Sequence, residues 1–189
     1  MEESQFVAIF KQASDNILWD SPIIVERGRN LLYQLPLNRQ LKPSVADTIS
    51  PKRGDSAFET DICISEKVAG PEELLFPRVV IEFKPKITSH DILTYSAKAG
   101  KHRSMYPWLR YGLLASDIDA IPNRFFIHNE HLDFFIAAHS HRSNLEKFIK
   151  KLIEKELRVS KALETIRFGN NNFDYYRTEI IFGRFDETQ

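Results

Sequence analysis

The sequence predicts an α/β fold, a central mixed β-sheet flanked by helices on both faces, and three observations carry that. Apolar, β-branched runs of strand length stand at 58–64 (FETDICI) and 78–84 (RVVIEFK), with only a turn-rich connector between them. Apolar residues at three- and four-residue spacing mark helices before, between and after such runs. The order is not a regular strand–helix array, so some strands must pair antiparallel and others parallel.

The elements follow in order. Phe6, Ile9, Phe10, Ala13 and Ile17 predict a first helix. Ser21-Pro22, an N-cap followed by Pro at the first helical position, predicts a second over IIVERGRNLLYQL, burying Ile24, Leu31, Leu32 and Leu35. Residues 36–57 carry three prolines and little periodicity and read as a long connection, with room for a short strand or hairpin. The strand 58–64, the connector 67–77 and the strand 78–84 come next, the last ended by Pro85. Thr88-x-x-Asp91 is a capping box opening a helix over SHDILTYSAKAGKHRSM. WLRYGLLA (108–115) predicts a third strand. NRFFIHN (123–129) and LDFFIAA (132–138) predict a fourth and fifth, joined as a hairpin. Ser143-x-x-Glu146 predicts a second capping box and a long helix burying Leu145, Phe148, Ile149, Leu152, Ile153 and Leu157. FDYYRTEIIF (173–182) predicts a final strand.

With 189 residues and 42% hydrophobic composition, the chain suits one domain, 1–189, with a substantial core. Lys+Arg and Asp+Glu both total 26, so bulk charge does not mark a nucleic-acid binder, and local clustering must carry any such case. One cysteine, Cys63, excludes an intrachain disulfide and a Cys-based zinc cluster and fits a reducing cytoplasm. MEESQFVAIF lacks the apolar stretch of a secretory signal, and no apolar run reaches membrane-spanning length. No G-x-G-x-x-G follows a strand and no P-loop motif is present.

The strand 78–84 contains a contradiction. Side chains alternate along a strand, so Val79, Ile81 and Phe83 face one way and Val80, Glu82 and Lys84 the other. Charges on a core strand are costly unless paired or bound to something. In 58–64, Glu59, Asp61 and Cys63 share a face. If the two strands pair, Asp61 comes beside Glu82 and Lys84. Two carboxylates suit a hard divalent cation such as Mg²⁺. A metal generates a nucleophilic water and neutralises phosphoryl charge, and a lysine beside it stabilises developing negative charge. A structural ion pair of Lys84 with Glu82 or Asp61 is the plainer alternative.

Asp61, twenty intervening residues, then Glu82-Phe83-Lys84 resembles the PD-(D/E)XK nuclease superfamily, the restriction-endonuclease-like fold. The likeness spans about residues 15–115, and 116–189 would complete the sheet and supply DNA-recognition or dimer elements. Glu82-Phe83-Lys84 is the single Glu-x-Lys of the chain, while Thr60 stands where the family has proline. The resemblance implies Asp61 and Glu82 as ligands of Mg²⁺ (with Mn²⁺ as a substitute), the Phe83 carbonyl facing the metal, and Lys84 as the catalytic lysine. It also implies an acidic residue on the preceding helix, for which Glu26 occupies a comparable place. Asp55 is a rival for Asp61, in a loop-like segment.

Between 84 and 110, Lys84, Lys86, Lys98, Lys101, Arg103 and Arg110 stand against Asp91, a local charge of +5. Tyr95, Lys98 and His102 fall on one helical stripe. Lys86, Lys98, Lys101, His102 and Arg103 are therefore candidates for holding a DNA backbone, against a solvated helix face as the plainer reading. His128, His131, His139 and His141 invite a zinc site, but a hairpin carrying them explains the spacing better. Asn170, Asn171, Asn172 and Arg177 in GNNNFDYYRTEIIFGRF are of the types that read base edges, or else form a polar turn. The expectation is a Mg²⁺-dependent DNA endonuclease, foremost a type II restriction enzyme acting on double-stranded DNA as a cytoplasmic homodimer. A repair, recombination or mobile-element nuclease and a non-catalytic DNA-binding module are the alternatives.

Overall fold

Alternation in the strand 78–84 dictates a sheet with two dissimilar faces, and a computed structural model of the protein has that architecture. The structure describes residues 2–68 and 74–169, together with 173–175, 177, 181, 183 and 185. The elements run α1 (Glu3–Leu18), β1 (Ile23–Arg27), β2 (Asn30–Leu32), β3 (Ala57–Glu59), β4 (Ile62–Val68), β5 (Leu74–Lys84), α2 (Ser89–Met105), β6 (Arg110–Ala115), α3 (Asn123–His128), β7 (Phe134–Ala137) and α4 (Leu145–Phe168). Five strands form one sheet in the order β1-β4-β5-β6-β7, and β2 and β3 form a separate pair. β1, β4 and β5 are antiparallel neighbours, whereas β5, β6 and β7 run parallel. The fold is α/β with a mixed sheet and helices on both faces.

Val79, Ile81 and Phe83 are fully buried against α1 and α4, with Phe6, Phe10, Ile149 and Leu152 in the same core. Phe6 and Phe10 both meet the Phe83 ring edge-on, at 5.3 and 5.2 Å. Val80 belongs to the opposite core, under α2 and α3, with Ile92, Ala99, Tyr111 and Phe125. Phe83 thus pins β5 from one side and commits Glu82 to the other. Between β6 and β7 the chains approach closely: a Cβ on Gly112 would lie 2.0 Å from the Phe134 ring, so only glycine fits there.

Several expected elements differ. The second helix is instead β1 and β2, because Gly28 turns the chain at φ +66° and β-branched IIV pairs with β4. The strand 58–64 is interrupted at Thr60-Asp61; Ala57–Glu59 pairs with β2, and β4 begins at Ile62. The connector 67–77 is mostly strand, β4 reaching Val68 and β5 starting at Leu74, with 69–73 outside the described residues. NRFFIHN is helical: Phe125 points inward while Phe126 and Ile127 are 63% and 73% exposed, which no two-residue alternation would give. The expected hairpin is therefore a parallel crossover, β6–α3–β7. The Ser143–Glu146 box does not form, since a 3₁₀ turn over His139–Asn144 carries the chain into α4 and Asn144 makes no side-chain cap bond. The strand expected at 173–182 lies partly outside the described residues, and its described residues hold no strand.

Candidate active site

The interruption before β4 places Asp61. Ile62 pairs with Ile81, so extending the antiparallel register sets Asp61 opposite Glu82. Asp61 Oδ2 accepts the Phe83 N–H at 2.8 Å, fastening the two strands where the carboxylates meet. Burial and the adjacent Glu82 carboxylate together push the Asp61 pKa up to about 6. Asp55, the rival, is tied into its own loop by the Lys52 N–H at 2.9 Å.

Glu82 is 1% exposed. Its Oε1 accepts from Lys98 Nζ of α2 at 3.0 Å and from the Tyr111 hydroxyl of β6. Tyr111 is fully buried, and burial beside Glu82 holds its phenol well above the ordinary range, so it remains a donor. The hydrogen bonds from Phe83, Lys98 and Tyr111 engage one oxygen of each carboxylate.

Lys84, the last residue of β5, reaches Glu3 Oε2 at the start of α1, 2.7 Å away. Burial alone would lower the Lys84 pKa, but the bonds to Glu3 and Tyr95 outweigh it and raise it. Lys84 is therefore a fixed cation rather than a proton acceptor. Beside it a cleft of 490 Å³ is lined by Glu3, Ser4, Val7, Arg27, Gly28, Glu59, Thr60 and Asp61. Asp61, Glu82 and Lys84 are thus brought to one end of the sheet.

Glu26 is not part of this group. It lies on β1, not on a helix, and its carboxylate is held by Arg29 at 2.7 Å and approached by the Ser65 hydroxyl at 3.4 Å. The helix that precedes the sheet is α1, and its acidic residue at the site is Glu3. No motif marked Glu3; the one signal was an acidic residue in the first turn of an amphipathic helix.

The α2 residues divide. Ile92, Ser96, Ala99 and His102 are its buried positions, so the stripe of Tyr95, Lys98 and His102 packs towards the sheet instead of facing solvent. His102 is fully buried between Phe58 and Tyr111, and neither ring nitrogen has a hydrogen-bond partner among the described residues. Burial and the Lys98 charge push its pKa down to about 3, so it is neutral and cannot be a DNA contact. Arg103 is turned to the His131 carbonyl and Asp133, a structural role. Lys86 and Lys101 are exposed, and Lys101 lies over the Tyr33 and Phe58 rings at 5.0 and 5.6 Å.

His128 and His131 line a 430 Å³ hollow between α2 and α3, while His141 stacks on Phe148 at 4.7 Å. Among the described residues no three His, Cys, Asp or Glu side chains are arranged to hold a metal ion, so the Asp61–Glu82 site offers two carboxylates. Among the described residues no helix is long and apolar enough to cross a membrane. No family model matches the chain, and no curated protein matches it in sequence.

Proposed function

We propose that the protein is a metal-dependent endodeoxyribonuclease of the PD-(D/E)XK kind, with Mg²⁺ as its cofactor. The observation that carries the reading is the abutment of Asp61 and Glu82, where burial first and the neighbouring Glu82 charge second lift Asp61 to about 6, beside the fixed Lys84 cation. A protein gains nothing in stability from that pairing, whereas a divalent cation relieves it. The donor set fits such a cation: two adjoining carboxylates, each with an oxygen outside the hydrogen bonds described. In this reading Asp61 and Glu82 hold the ion, with the Phe83 carbonyl as a further oxygen. When bound, the metal supplies an activated water and neutralises phosphoryl charge.

The chain's own residues supply the rest. Lys98 and Tyr111 fix the orientation of Glu82, and the Phe83 N–H fixes Asp61. Lys84, permanently charged, stabilises the charge that develops on the phosphate as the bond to the leaving oxygen breaks. In this reading the exposed Lys86 and Lys101 meet backbone phosphates of double-stranded DNA.

Within this reading a type II restriction enzyme acting as a homodimer is the form we favour, since one site per subunit would serve each strand of a palindrome. The test is incubation with plasmid DNA and Mg²⁺ or Mn²⁺ beside Asp61→Asn and Lys84→Ala. Discrete bands lost in both variants support it; no cleavage of any DNA by the parent chain refutes it. Ladders or end-dependent trimming point instead to a repair or mobile-element nuclease.

A further inference from the structure

The connection between β2 and β3, residues 33–56, is longer than the dozen or so residues usual for a loop without structure of its own, and such loops are commonly functional. Its root is fixed. Tyr33 N–H donates to the Ser56 carbonyl at 2.9 Å, and Val45 packs in a small core with Leu32 and Ala57. β3 ends at Glu59, and Asp61 follows two residues later in the break before β4, so the connection ends close in sequence to the candidate site.

The connection carries a built finger at 36–44. A bridge pairs Leu37 with Pro43, and Ser44 N–H donates to the Pro36 carbonyl at 2.9 Å. Asn38 Oδ1 accepts the Gln40 and Lys42 N–H groups at 2.9 and 3.1 Å, and Leu41 N–H donates to the Asn38 carbonyl at 3.0 Å. This bonding presents Arg39, Gln40, Leu41 and Lys42 outward, all exposed. Leu41 stands at φ +59°, a region a leucine rarely adopts, with 79% of its surface exposed. The left-handed turn at Leu41 closes the hairpin, with Asn38 N–H donating to the Lys42 carbonyl at 2.8 Å, and no described residue covers the Leu41 side chain.

Charge indicates the occupant. Residues 33–56 hold Arg39, Lys42, Lys52 and Arg53 against Asp47 and Asp55. Both acids are tied to their own backbone: Asp47 accepts the Ile49 and Ser50 N–H groups, and Asp55 accepts Lys52 N–H. Arg39 and Lys42 flank Leu41 and form no ion pair among the described residues. An apolar tip between two free cations complements a phosphate-lined groove with stackable bases, and inserted leucines are known to wedge base steps open. We infer that residues 36–44 are a DNA-probing finger, with Leu41 inserted at a base step in the minor groove and Arg39 and Lys42 on the flanking phosphates. The inference rests on the nuclease reading only in taking duplex DNA as the partner.

The test measures binding of the full chain, in EDTA, to fluorescein-labelled duplexes of mixed sequence carrying 2-aminopurine at TA and CA steps. Arg39→Ala/Lys42→Ala should lower the slope of log affinity against log salt by about 2, since each phosphate contact contributes about 0.9. Leu41→Asn, which tolerates the left-handed backbone better, should melt no lower than the parent. It should keep the salt slope, lose the 2-aminopurine enhancement and weaken binding by about tenfold. Parent-like binding, slope and fluorescence in both variants would overturn the finger alone. Absence of duplex binding by the parent would remove both the finger and the nuclease reading. A Leu41→Asn effect confined to self-association in sedimentation would assign the tip to a second copy of the chain and overturn the inference.

Discussion

At the end of the sheet where β6 begins, Arg110 donates to Glu156 of α4 and to Asp133 ahead of β7, each at 2.8 Å. Arg103 approaches the same Asp133 at 3.4 Å. At the other end Asp61 and Glu82 lie against each other. Burial raises the pKa of carboxylates at both ends, but the neighbours differ. Arg110 and Arg103 pull Asp133 back down, whereas Glu82 drives Asp61 further up. The first arrangement is closed, with every buried charge given an opposite partner. The second pairs Glu82 with Lys98 but sets the Asp61 carboxylate against Glu82, so like charges still adjoin. Burial of charge therefore does not by itself mark a functional site; the sign of the neighbour does.

Four experiments sharpen or break this contrast. At the open end, Asp61→Asn or Lys84→Ala should cut plasmid cleavage by roughly 10³- to 10⁴-fold, about 4–5.5 kcal/mol of barrier, measured as initial rates in Mg²⁺. At the closed end, Arg110→Ala takes the arginine from buried Glu156, leaves Asp133 with Arg103 alone, and should destabilise the fold by about 3–5 kcal/mol in urea unfolding.

The third separates the ends by pH. The folded-state pKa of Asp61 lies above its ordinary 3.8, so the protonated form folds better. The stability it contributes is present below about pH 4 and lost as pH rises through about 6. Asp61→Asn should therefore raise stability in EDTA at pH 7.5 by up to about 3 kcal/mol and change little at pH 4. A stabilised yet inactive variant would be hard to reconcile with a structural ion pair. The smallest effect is that of Tyr111→Phe, which removes one donor from Glu82 and should cost about 1–2 kcal/mol of stability and weaken Mn²⁺ binding by calorimetry.

What was legible in the sequence was what local pattern controls. β5 showed its two faces through Val79, Ile81 and Phe83 against Glu82 and Lys84. α2 was bounded as expected because the Thr88–Asp91 box forms, with Asp91 N–H on Thr88 Oγ1 and Thr88 N–H on Asp91 Oδ2. β1 and β2 were hidden because Ile24, Leu31 and Leu35 repeat at near-helical intervals, and only the turn at Gly28 breaks them. The pairing of Asp61 with Glu82 could be anticipated from sequential strands. Glu3 on Lys84, Tyr111 on Glu82 and the inward turn of His102 could not, since they join segments far apart in the chain.

The packing of α1 against α4 on one face of β5 has a consequence in time. Asp61, Glu82 and Lys84 leave the ribosome early, but the core beneath Phe83 is shared by Phe6 and Phe10 with Ile149 and Leu152. Until residues 145–168 emerge, α1 has no second wall to settle on, and Glu3 has no fixed place from which to hold Lys84. A nascent chain thus carries its acids and its lysine before it can aim them, and assembly of the candidate site waits for α4.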